Sequence, residues 1–330
     1  MNLAPTSPPC ASTCATVLVT GATGFVGRAL VSHLNAVNNC AVRSVVRGRS
    51  DEISPCGQIV AVGNLTGHTD WSEALRNVQV VVHVAARTQV QLGSPQEVLA
   101  ELREVNVAAT LALARQSLAA GVRRFVFISS VKVLGESSLS GRPLQESDLY
   151  APADAYGVSK MEAEQGLQAV VAGTPMELVV IRPPLVYGRG MKSNFGALMG
   201  VVKRGLPLPF GNIQNRRSFV GIDNLVDFIA ICTTHAQAAH QTWMVSDAER
   251  LSTPDLIRRM AAAMQCPTRL MPIPVVWLRW IAIATNKTSI LQRLCGNLEV
   301  DISKAQRILG WTPPVTLENG LRRAAQRDTS

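Results

Sequence analysis

The stretch "VTGATGFVG", Val19 to Gly27, constrains the fold of this chain more than any other. An apolar β-branched run ends at Thr20, glycines follow at 21, 24 and 27, and "RALVSHL" opens a helical pattern directly afterwards. Glycine lets a backbone turn sharply and lets another backbone approach closely. A helix that starts straight after a strand also leaves its first N–H groups unbonded, so they face the turn. A strand, a tight turn and a helix start in so short a run open a βαβ unit whose turn can hold a pyrophosphate.

The segments that follow keep this style. Short β-branched runs ("TVLVTG", "AVRSVVR", "QIVAVGN", "VQVVVHVAA", "RRFVFISS", "MELVVIRP") alternate with longer helical patterns, among them "FVGRALVSHLNAV", "TDWSEALRN", an Ala/Leu-rich helix near residues 98–120 and a helix from about 155 to 172. Continuous apolar strands between helices indicate a parallel sheet covered on both faces. The fold expected is α/β: a Rossmann-like doubly wound parallel sheet with a smaller, interleaved C-terminal substrate domain. Residues 1–15 read as a disordered tail, and 16–185 with about 219–238 as the dinucleotide-binding domain. Residues 186–218 and 239–330 read as the substrate domain.

Composition narrows the classes of function. The formal net charge of +9 over 330 residues comes without any run of four basic residues; the Arg pairs at 123, 216, 258 and 322 are isolated, which suits anionic ligands and excludes a nucleic-acid footprint. The seven cysteines are scattered, with no Cys-x-x-Cys, and His33, His68, His83, His235 and His240 show no metal-ligand spacing. No metal site is expected, and His83, in the apolar strand "VVHVAA", reads as a core histidine. "MNLAPTSPPCASTCA" lacks the basic start and apolar run of an export signal. "VVWLRWIAIAT", residues 275–285, is about half a membrane span and contains Arg279, so it reads as an amphipathic helix packed on the body, with a helix lying on a membrane surface as the alternative. A cytoplasmic protein without membrane insertion is expected.

The second strand bears on the cofactor. An acidic residue there would bond a ribose 2′-hydroxyl, whereas an arginine accommodates a 2′-phosphate. "SVVRGRSD" offers Arg47 and Arg49, with Asp51 and Glu52 later in the loop. This favours NADP(H) and leaves NAD(H) open.

The chemistry is carried by "FVFISSVK", a strand ending in Ser129 and Ser130, and by "DAYGVSK", which sets Tyr156 and Lys160 four residues apart on one helix face. A phenol beside an ammonium can donate a proton to a carbonyl as a hydride arrives, and a serine can orient the carbonyl oxygen. The expectation is a tyrosine whose pKa is depressed by the cations around it.

With "GATGFVG", "GNL" (63–65), "VVHVAA", "VNVAAT" (105–110), "SS", "YGVSK", "RPPLVYG" (182–188), "RRSFVGIDNLVD" and "LGWTPPV", the chain resembles the extended short-chain dehydrogenase/reductases of the nucleotide-sugar epimerase/dehydratase group over residues 17–323. The resemblance implies a catalytic set of Ser130, Tyr156 and Lys160, with Asn106 positioning the lysine through water. It implies cofactor contacts from Gly21, Thr23, Gly24, Phe25, Val26 and Gly27, from Arg47, Asn64 and Leu65, from Ala85 and Ala86, and from Tyr156, Lys160 and Pro183. Asn64 stands where the family carries an aspartate. Substrate contacts are implied for Ser129, Ser130, Lys132, Asn194, Phe210, Arg217 and Arg293, with arginines suited to a diphosphate. It also implies a homodimer paired through a four-helix interface made by the Tyr156 helix and the Ala/Leu-rich helix.

Val131 and Lys132 follow the catalytic serine, where a dehydratase needs an acid and a base. That leaves a reductase or an epimerase. Arg47, and segments such as "SSVKV" and "NRRSFV", resemble the 4-ketoreductases of bacterial surface polysaccharide. The expectation is therefore NADPH-dependent reduction at C4 of a UDP-2-acetamido-2,6-dideoxy-4-ketohexose, in O-antigen synthesis. A UDP-sugar 4-epimerase with bound NAD (on UDP-glucose/galactose or their N-acetyl forms), and a non-catalytic dinucleotide sensor, are the alternatives.

Overall fold

The computed structural model describes residues 15–37, 40–48, 57–88, 90, 93–191, 194–285 and 288–326. The expected tail lies outside these residues except for Ala15, which begins the first strand. Ten strands are present: β1 (Ala15–Thr20), β2 (Cys40–Val46), β3 (Gln58–Ala61), β4 (Val80–His83), β5 (Arg124–Ile128), β6 (Glu177–Arg182), β7 (Leu185–Tyr187), β8 (Arg217–Gly221), β9 (Gln241–Met244) and β10 (Arg250–Leu251), among the described residues. The α-helices among them are α1 (Phe25–Val37), α2 (Pro95–Arg103), α3 (Ala109–Ala119), α4 (Ala155–Val171), α5 (Asn194–Lys203), α6 (Ile222–Thr234), α7 (Thr253–Ala263), α8 (Val275–Ala284), α9 (Thr288–Cys295), α10 (Ser303–Leu309) and α11 (Leu317–Ala325).

Seven strands form one sheet in the order β3-β2-β1-β4-β5-β6-β9, parallel throughout. Side chains along a strand alternate between faces, and here each face has its own helices. Val17, Val19, Val80, Val82, Val126 and Ile128 pack with Leu30 and Leu34 of α1 and with Phe228 and Ile229 of α6. Leu18, Val81, Phe125, Phe127 and Val180 pack on the other side with Leu113 of α3 and with Ala163 and Leu167 of α4. This is the doubly wound Rossmann-like arrangement, and it explains why the strands read as unbroken apolar runs. A crevice forms at the carboxyl ends of the strands, where the strand order reverses beside β1.

A second sheet, β10-β8-β7, packs with α5, α7 and α11 around Tyr187, Phe195, Phe219 and Met260. Residues 219–238 supply most of β8, which belongs to this small sheet, and α6, which lies against α1. The seventh strand of the large sheet, β9, comes from 241–244, inside the stretch expected to be substrate domain. "TDWSEALRN" forms hydrogen-bonded turns rather than a helix (Leu75 N–H to Trp71 O, 2.9 Å), anchored by the buried Trp71. The helix expected near 98–120 runs from Pro95 to Ala119, but a π-helical turn at Glu104–Ala108 interrupts it. Such turns are rare and occur often at functional sites.

Candidate active site

The glycine turn fits a dinucleotide for a reason visible in its contacts. Gly21 adopts φ +67°, and a Cβ there would stand 2.9 Å from the Ala85 backbone; one on Gly27 would stand 2.1 Å from the Gly21 carbonyl oxygen. Only glycine lets α1 seat so tightly on the end of β1, and the seating points the helix N-terminus into a cleft of about 940 Å³. Gly21, Thr23, Gly24, Phe25, Val26, Gly27, Arg47, Asn64, Leu65, Ala85, Ala86, Tyr156 and Pro183 all line this cleft, as do Ser129 and Ser130. Arg47 is exposed on its wall; Arg49, Asp51 and Glu52 lie outside the described residues.

The residues expected to be catalytic come from two segments, the chain after β5 and the start of α4. The chain after β5 is held by Ser129 N–H to Ile181 O (2.8 Å) and Val131 N–H to Pro183 O (3.0 Å), which set both serines at the cleft. Ser130 Oγ accepts from the Lys132 N–H at 3.2 Å, and the buried Ser129 Oγ has no partner among the described residues. Asp154 caps α4 by accepting from the Gly157 N–H at 2.7 Å, so Tyr156 stands in the first turn of that helix and Lys160 one turn later.

Burial pushes the Tyr156 phenol up to about 12, with the Asp154 carboxylate adding to the rise. This is opposite in direction to the depressed pKa expected from the residue pattern, because desolvation of the phenolate dominates and the charge acting on it is the Asp154 carboxylate. Lys160 does not line the cleft; it is 1% exposed, with Nζ 4.0 Å from the centre of the Phe127 ring. Burial pulls its ammonium down to about 7, opposed by Glu164. Glu164, one turn beyond, is locked in a buried ion pair with Arg182 (2.6 Å) and accepts from the Tyr150 hydroxyl at 2.9 Å. This support was missed in the sequence, although its signal is the third member of a four-residue spacing, Tyr156, Lys160 and Glu164.

Asn106 sits in the π-helical turn and bonds directly to two other segments. Its Oδ1 accepts from the Arg87 N–H (2.8 Å), while Nδ2 donates to Arg87 O (2.9 Å) and to Ser159 Oγ (3.0 Å). It therefore joins the chain after β4 to the helix that carries Tyr156 and Lys160. A chain of buried hydrogen bonds reaches the same turn from the glycine loop. Thr110 donates to Asn106 O at 2.8 Å and so receives from His83 Nε2 at 2.9 Å; Thr20 donates to His83 Nδ1 at 2.8 Å. Thr20 Oγ1 in turn accepts from the Val84 and Ala85 N–H groups at 3.2 Å each. Burial, aided by the Lys160 charge, holds His83 down at about 3, so it is neutral and structural.

The expected substrate contacts divide. Lys132, Phe210, Arg217 and Arg293 do not line the cleft, and Asn194 opens α5 with its side chain outside the described residues. Phe210 is partly buried against the core of the small sheet. Lys132, Arg217 and Arg293 gather instead around Glu136: Lys132 pairs with Glu136 (3.0 Å) and with Asp154, Arg293 with Glu136 (3.6 Å), and Arg217 feels the charges of both Glu136 and Arg293. Side chains from three distant stretches of the chain thus form one ionic cluster beside Ser130, and apart from the Lys132–Glu136 pair their proximity is not visible in local spacing. Among the described residues no group of His, Cys, Asp and Glu is arranged to hold a metal.

The family model described as NAD dependent epimerase/dehydratase family matches residues 17–245. The chain is 45% identical to a UDP-glucose 4-epimerase of Vibrio cholerae over 94% of each chain. It is 25% identical to a GDP-6-deoxy-D-mannose reductase of Pseudomonas aeruginosa over 93% of this chain and 94% of that one. Among solved structures, MoeE5 in complex with UDP-glucose and NAD superposes with a TM-score of 0.74 at 25% identity, covering 94% of this chain and 97% of that one.

Proposed function

Since this chain belongs to the NAD-dependent epimerase/dehydratase family, we propose that it is a UDP-sugar 4-epimerase, an enzyme that removes and returns a hydride at C4 of a UDP-hexose. The observation that carries this reading is the shared wall: the glycine turn, Ser130 and Tyr156 border one cleft, with Lys160 a helical turn behind. Its identity to the Vibrio cholerae epimerase supports the choice of reaction.

Bound along the cleft, a nicotinamide dinucleotide supplies the hydride acceptor and donor. The glycine turn and the α1 N-terminus bind its pyrophosphate, and Arg47, Asn64 and Leu65 border the adenosine end. Ser130 Oγ donates to the C4 oxygen and orients it. Tyr156, as phenolate, takes the C4 hydroxyl proton while the C4 hydride departs, leaving a 4-keto sugar. After that sugar turns its other face, Tyr156 returns the proton to the oxygen as hydride re-enters at C4, and the C4 centre is inverted. Burial and the Asp154 carboxylate by themselves keep Tyr156 protonated, and the Lys160 ammonium one helical turn away, with the positive nicotinamide a dinucleotide would bring, are the charges that would favour its phenolate. The Lys132, Arg217 and Arg293 cluster is the nearby cationic group suited to a diphosphate. Helices α3 and α4, side by side on one face of the sheet, would pair two copies through four helices.

A second reading, an NADPH-dependent 4-ketoreductase of a UDP-2-acetamido-2,6-dideoxy-4-ketohexose, is favoured by Arg47 on the cleft wall, where a 2′-phosphate would be met by an arginine. One experiment separates the two. The purified protein is denatured, the released dinucleotide is identified by mass, and fresh protein is given UDP-glucose, or NADPH with the 4-keto sugar. Retained NAD and conversion of UDP-glucose to UDP-galactose without net cofactor change supports the epimerase. Stoichiometric NADPH loss with a 4-hydroxy product, and no epimerisation, replaces it with the reductase.

A further inference from the structure

Helix α8 meets the rest of the protein through a narrow stripe. Leu278 and Ala282, four residues apart and so on one side of the helix, are buried. The amphipathic helix expected to pack on the body therefore packs by two residues, and Val276, Trp277, Trp280, Ile281 and Ile283 remain exposed, the tryptophans at 67% and 68%. Single exposed apolar residues are ordinary, whereas five on a ten-residue helix form a patch that needs an occupant.

The charges that flank the patch along the chain point to that occupant. From Pro267 to Leu298 the chain carries Arg269, Arg279, Lys287 and Arg293 and no aspartate or glutamate. Arg279 follows Leu278 in the helix, and at about 100° per residue it stands at the border between the buried stripe and the exposed apolar face. Tryptophan favours the boundary between headgroups and acyl chains, where its ring is in lipid and its N–H is wet. A helix that combines such a face with cationic residues and no acidic ones suits the surface of an anionic bilayer. A second copy of this chain suits it less, since the same stretch of that copy would again bring arginine and lysine and no acidic residue to meet them. At ten residues α8 is about 15 Å long, half a bilayer, and no described helix is long and apolar enough to cross one.

We propose that α8 docks the protein on an anionic membrane surface, lying in the headgroup layer with Trp277, Trp280 and their aliphatic neighbours in the lipid and Arg279 at the phosphates. Helix α9, which packs on α8, carries Arg293 of the ionic cluster. Docking thus holds that cluster and the catalytic serine near the membrane.

Intrinsic fluorescence tests this directly, because Trp71, Trp243 and Trp311 are buried and only Trp277 and Trp280 can change environment. The full chain is titrated with phosphatidylcholine vesicles containing phosphatidylglycerol, and with phosphatidylcholine vesicles alone. The expected result is a blue shift and co-sedimentation with the anionic vesicles, weakened by raised salt. Trp277→Ala/Trp280→Ala is expected to lower partitioning more than about ten-fold and to leave turnover of a soluble UDP-sugar unchanged. Absence of both shift and sedimentation overturns the proposal, as does equal, salt-insensitive binding to uncharged vesicles. Emission that is already blue without lipid, and that moves red on dilution as a dimer dissociates, overturns it in favour of a second copy.

Discussion

Replacing Lys160 by methionine is expected to stabilise the protein at neutral pH while ending its catalysis. The ammonium is buried against the Phe127 ring, and among the described residues it has no hydrogen-bonded partner. Burial brings its pKa from an ordinary 10.5 to about 7. The unfolded chain titrates near 10.4, so between pH 7 and about 10.4 it binds more protons than the folded chain, and stability rises with pH across that window. At about 1.4 kcal/mol for each pH unit of displacement, the burial penalty is about 4–5 kcal/mol below pH 7 and vanishes above the unfolded pKa. Methionine removes the penalty, keeps an unbranched side chain, and places its sulfur against the ring. Equilibrium urea unfolding of the dinucleotide-free protein is expected to show Lys160→Met more stable than wild type at pH 7 by about 2–4 kcal/mol. The advantage is expected to fall by about 3 kcal/mol at pH 10. A variant less stable at pH 7, or a gain that does not change with pH, would refute the account of a desolvated, unpaired ammonium.

Tyr156→Phe removes the proton donor and leaves the ring in place; circular dichroism is expected to be unchanged while kcat falls by about 10²- to 10⁴-fold, and near wild-type turnover would remove Tyr156 from the mechanism. Asp154 raises the Tyr156 pKa and Lys132 neutralises Asp154, so Lys132→Met is expected to move the limb of the kcat profile that rises as the Tyr156 phenol ionises to higher pH. Asp154→Asn, which still caps the helix, is expected to move that limb lower, and identical profiles for the two variants would exclude the link. Glu164→Gln leaves Arg182 charged and buried, with an expected loss of about 3–5 kcal/mol in thermal or urea unfolding; a loss under 1 kcal/mol would show that the pair is replaceable.

Much of the site was legible in the chain. Three glycines between a strand and a helix announce a backbone that must approach closely, and Gly21 and Gly27 do so against Ala85 and Gly21. Tyr156 and Lys160 share a helix face because four residues are one turn. Lys132 was an oddity in the sequence, since its partners Glu136 and Asp154 lie on different segments. Trp277 and Trp280 looked like packing residues until the helix proved to rest on two small contacts.

The sequence by itself determined the parallel sheet, the dinucleotide turn and the serine, tyrosine and lysine, because each rests on local spacing or on strand and helix periodicity. Only the tertiary structure decided what those residues experience. It raised Tyr156 and lowered Lys160 by burial, made His83 a neutral link between Thr20 and Thr110, and gathered Lys132, Arg217 and Arg293 around Glu136. The physical reason is that desolvation and Coulomb fields depend on everything within a few ångströms, whichever part of the chain supplies it.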